Sequence, residues 1–75
     1  MNKKKIYPSI WYSDKKEKLS CKEKILILNQ NIEELYELSS QVYDEAILMG
    51  VDKNQIKTVL KNLIENLNSS LKNAK

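Results

Sequence analysis

Apolar residues recur at alternating spacings of three and four along the centre of the chain, which is the pattern of one helix face. Ser39 is the one polar residue in this series, and no glycine or proline interrupts it before Gly50. Ser20 and Glu23 have capping-box spacing, and Gly50 suits the left-handed residue after a helix. The pattern predicts a first helix over about 20–49. Its positions are Ile25, Leu28, Ile32, Leu35, Ser39, Val42, Ala46 and Met49.

A second amphipathic pattern begins directly after Gly50. Asp52 and Gln55 form another capping-box pair, so Asp52 is the expected N-cap. We predict a second helix over about 52–72, joined to the first by a turn so short that the two must form an antiparallel hairpin. Its expected apolar stripe is Ile56, Val59, Leu60, Leu63, Ile64, Leu67 and Leu71.

Residues 1–19 have no helical periodicity. They combine lysines with an apolar and aromatic patch, and Pro8 disfavours helical geometry at Tyr7. We interpret them as an extended N-terminal arm, followed by a helical hairpin over 20–75. The predicted fold class is therefore all-α.

The hairpin has more apolar surface than two helices can hide from water. A second helix of about 20 residues leaves residues 20–28 uncovered, and segments 25–28 and 46–49 are apolar on every side. We expect two chains to dimerise as a four-helix bundle; a monomer closed by its own arm is the alternative. The predicted dimer or partner face is Ile25, Leu26, Ile27, Leu28, Tyr36, Leu38, Tyr43, Ile47 and Leu48.

Composition argues against most chemistry in this chain of 75 residues. It has no histidine, a single cysteine (Cys21) and a single glycine, which excludes the usual general base, a cysteine-rich zinc site and a glycine-rich phosphate loop. We expect no catalytic residues, no metal and no cofactor. The acidic residues of the first helix are interpreted as a solvated face: Glu33, Glu34, Glu37, Asp44 and Glu45.

No targeting segment is recognisable either. The lysines at 3–5 resemble the start of a signal peptide, but no apolar core follows them. No stretch is long and apolar enough for a transmembrane helix, and one free thiol fits a reducing compartment. The expected location is therefore the cytoplasm.

Positive charge is concentrated near the N-terminus. Residues 1–24 carry a net charge of +5, whereas residues 25–75 carry −2. Lysines beside aromatic rings suit single-stranded nucleic acid, a membrane surface or a protein partner, and the same apolar patch could instead cover the helical overhang. The predicted partner-binding residues are Tyr7, Ile10, Trp11 and Tyr12 on the arm and Lys53, Lys57 and Lys61 on the second helix.

These observations together favour a non-catalytic function. We expect a small protein–protein interaction module, an accessory subunit or a regulator, that acts by burying a helix face against itself or another protein, with Trp11 as an anchor. The alternative is a nucleic-acid-associated regulator that contacts phosphates through the lysine-rich arm.

Overall fold

A computed structural model describes residues 6–71 of the chain. This part contains helix α1 (Lys22–Leu48) and helix α2 (Lys53–Glu65), and its one element of β structure is an isolated antiparallel bridge between Tyr12 and Lys18. The predicted all-α class is confirmed. The chain divides into two units, Met1–Leu38 and Ser39–Lys75, with the boundary inside α1.

The arm in the first unit makes a turn that the sequence reasoning did not predict. The Ser13 amide donates to the Glu17 carbonyl at 2.7 Å, and the Lys16 amide donates to the Ser13 carbonyl at 2.9 Å. The Ser13 hydroxyl also accepts hydrogen bonds from the Lys15 and Glu17 amides. Lys16 has a φ of 68°, the left-handed position that glycine favours in three-residue hairpin loops. The lysines at 3–5 lie outside the described residues.

Helix α1 begins at Lys22, two residues later than predicted. The Leu19 amide donates to the Trp11 carbonyl at 2.8 Å, which ties this part of the chain to the arm. The Cys21 carbonyl accepts the first helical hydrogen bond, from the Ile25 amide. Cys21 therefore takes the N-cap position, and the expected capping by Ser20 is wrong by one residue.

The turn between the helices forms as predicted. Gly50 has a φ of +90°, its amide donates to the Ile47 carbonyl, and the Val51 amide donates to the Ala46 carbonyl, which together make a Schellman motif. Asp52 then caps α2, because its carboxylate accepts a hydrogen bond of 2.9 Å from the Gln55 amide. This geometry is consistent with the predicted hairpin.

Helix α2 ends at Glu65, several residues before the predicted end near 72, a position outside the described residues. Asn66 is the C-cap, and its side-chain amide donates to the Asn62 carbonyl at 2.8 Å. The Asn66 backbone amide also donates to the Asn62 carbonyl, at 3.0 Å, so this carbonyl accepts two hydrogen bonds at the helix end. Asn68 and Ser69 follow, and residues of these types favour turns over helix interiors.

Candidate functional site

The arm of the first unit lies against α1. The Trp11 indole N–H donates a hydrogen bond of 2.7 Å to the Asn29 side-chain oxygen. Both residues are half-buried, and so are Leu19 on the arm and Ile25 and Leu28 on the helix. Because the indole finds an acceptor inside its own chain, its large apolar ring is held in place without leaving its N–H unpaired. The arm therefore shields this stretch of α1.

The outer side of the arm is different. Tyr12 pairs with Lys18 across the bridge, and 61% of the Tyr12 residue surface is exposed. Successive side chains of an extended segment point to opposite faces, which explains why Trp11 is half-buried and Tyr12 is exposed. Lys15 and Lys16 are exposed at the turn. This side thus offers an aromatic ring beside several amines.

In the second unit, the two helices meet through small and branched side chains. Ala46, with 5% of its surface exposed, is the one buried residue in the part of the chain that the structure describes. Ile56 and Leu60 on α2 are half-buried. The Lys57 ammonium lies 5.7 Å from the centre of the half-buried Tyr43 ring, a cation–π contact between the helices.

The second unit, which we call the hairpin unit, has two sides that carry different types of side chain. We call these sides edges, and helical geometry places each residue on one of them. On α1, Tyr43 lies to one side of Ala46 and Val42 lies to the other. On α2, Lys57 lies to one side of Leu60, whereas Val59 and Leu63 lie to the other. Lys57 contacts Tyr43, so those two sides form one edge.

We call that side the lysine edge, and it also carries Ile47, Lys61 and Ile64. The opposite side, the apolar edge, consists of Val42, Met49, Val59 and Leu63, and all of these residues are exposed.

The predicted apolar stripe of α2 is therefore only partly covered. Ile56 and Leu60 are half-buried, but the rest of the stripe is exposed: Val59, Leu63, Ile64, Leu67 and Leu71. These exposures are consistent with the expectation that the hairpin has more apolar surface than its two helices hide. A stripe this wide exceeds what one antiparallel neighbour can cover, since two helices touch along a narrow line of contact.

The residues predicted for partner binding are distributed over both units. Tyr7 and Trp11 are half-buried, Ile10 and Tyr12 are exposed, and all of Lys53, Lys57 and Lys61 are exposed. Their role in partner binding stays a prediction.

The predicted dimer or partner face is similarly mixed. Ile25, Leu28 and Tyr43 are half-buried, and the others are exposed: Leu26, Ile27, Tyr36, Leu38, Ile47 and Leu48. This face stays a prediction.

Sequence reasoning missed Asn29 and the apolar edge. Asn29 places a side-chain amide in the apolar run between Leu28 and Ile32. Because a half-buried indole N–H needs an acceptor, this amide is a signal of a hydrogen-bond partner for the tryptophan of the arm. The edge could not be found in this way. Val42, Val59 and Leu63 fit the helical period as well as the covered residues do, and the period does not say which side faces the neighbour.

Within residues 6–71, neither helix has a segment with the length and hydropathy needed to cross a bilayer. In the same residues, no group of three or more histidine, cysteine, aspartate or glutamate side chains could hold a metal ion.

Comparison of the chain with protein-family models, with curated proteins and with solved structures finds no match.

Proposed function

We propose that this chain is a small non-catalytic protein–protein interaction module whose apolar edge is buried against another protein surface. The observation that carries the proposal is the exposure of Val42, Met49, Val59 and Leu63 on one side of the hairpin. Covering each of these side chains stabilises a complex by about 1 to 2 kcal/mol. The four-helix bundle of two chains is one assembly that covers them.

The proposal also rests on how little apolar surface the hairpin buries between its own two helices. Ala46 is the one buried residue among those described, and the half-buried Ile56 and Leu60 complete the contact between the helices. A hairpin with so small a core gains most of its stability from further packing, as is general for two-helix units. Binding and folding therefore reinforce each other in this unit.

The decisive experiment compares Leu63→Glu with Leu60→Glu by circular-dichroism melting at several protein concentrations. Leu60 is half-buried against α1, so Leu60→Glu should lower the melting temperature at every concentration. Leu63 is exposed, so Leu63→Glu should leave the single chain nearly unchanged and reduce only the part of stability that rises with concentration. If Leu63→Glu lowers the melting temperature equally at all concentrations, the edge is covered within the chain and the proposal is wrong.

A second candidate function is favoured by the outer side of the arm, where Tyr12 and Lys18 are exposed side by side. A ring for stacking beside amines for phosphates is the composition of single-stranded nucleic-acid surfaces. The test is the binding of a fluorescent oligonucleotide by the full chain at low and moderate salt. A nucleic-acid function predicts affinity that falls steeply with salt and is lost in Tyr12→Ala. Absence of binding at low salt would contradict it.

A further inference from the structure

We draw no further inference here: the strongest candidate, the apolar edge of the hairpin unit formed by Val42, Met49, Val59 and Leu63, carries nothing beyond the proposed function, because nothing in the structure shows what covers it.

Discussion

In the first unit an arm of the chain lies against α1, whereas in the second unit the helices lie side by side with apolar residues exposed along one edge. Trp11 covers its part of the helix and satisfies its own polar atom through Asn29. Val59 and Leu63 have the same apolar character as the covered residues of α1 but no cover within the described chain. The two units thus differ in one respect: the arm covers part of α1 in the first, although Leu26 and Leu38 stay exposed there, and Val59 and Leu63 have no cover in the second.

This difference between covered and exposed apolar surface indicates which residues are available to bind a partner. A surface closed from within contributes to the stability of the free chain at any concentration. An exposed apolar surface adds to stability only when a partner binds it. Its contribution therefore increases with the concentration of the partner. Variants in the two units should therefore differ in how their effects depend on protein concentration.

The largest effect is expected for Trp11→Ala. Loss of a half-buried indole and its hydrogen bond should destabilise the chain by about 2 to 3 kcal/mol, less than the cost for a fully buried tryptophan. The melting temperature should fall by at least about 8 °C, independently of concentration. The exposed neighbour variant Tyr12→Ala is the control and should change little. An unchanged melt for Trp11→Ala would mean that the arm does not close the first unit.

Asn29→Ala should have the next largest effect. It leaves the Trp11 N–H without its acceptor, which costs about 1 to 2 kcal/mol for a partly buried donor. Asn29→Asp keeps an acceptor oxygen and should recover most of the loss, whereas Asn31→Ala, at an exposed asparagine on α1, should be nearly neutral. Chemical denaturation followed by Trp11 fluorescence measures all three. Equal effects of Asn29→Ala and Asn31→Ala would contradict a specific bond.

Asp52→Ala tests a hydrogen bond made within the second unit itself. Removal of the carboxylate that accepts from the Gln55 amide should cost about 1 kcal/mol of helix stability. Asp52→Ser retains a capping oxygen and should behave almost like the parent chain. The fraction of helix lost on warming, read by circular dichroism at 222 nm, gives the comparison. If serine and alanine are equally destabilising, capping is not the role of Asp52.

Lys16→Gly should have the smallest effect and the opposite sign. A lysine with a φ of 68° adopts a conformation that glycine reaches without strain. The substitution should stabilise the arm turn by about 0.5 kcal/mol. Relief of backbone strain stabilises the folded turn, and the greater freedom of glycine in the unfolded chain offsets part of that gain. Lys15→Gly, one residue earlier with no left-handed backbone, should destabilise. A thermal melt in which both variants behave alike would show that the backbone angle of Lys16 carries no strain.

Much of the hairpin could be predicted because its signals are local. Gly50 needs a left-handed backbone and Asp52 needs a nearby amide, and both requirements are met within a few residues along the chain. The early end of α2 was missed although residue types that favour turns follow it directly, at Asn66, Asn68 and Ser69. An apolar period that continues through Leu67 and Leu71 conceals that stop signal.

The sequence by itself determined the two helices and the turn between them, because these follow from spacing and residue type. Only the tertiary structure decided that Trp11 pairs with Asn29, and that Val59 and Leu63 are exposed while Leu60 is half-buried. Helical periodicity fixes which residues share a stripe. Which part of a wide stripe touches the neighbour depends on how two surfaces fit, and that fit arises only when the chain has folded.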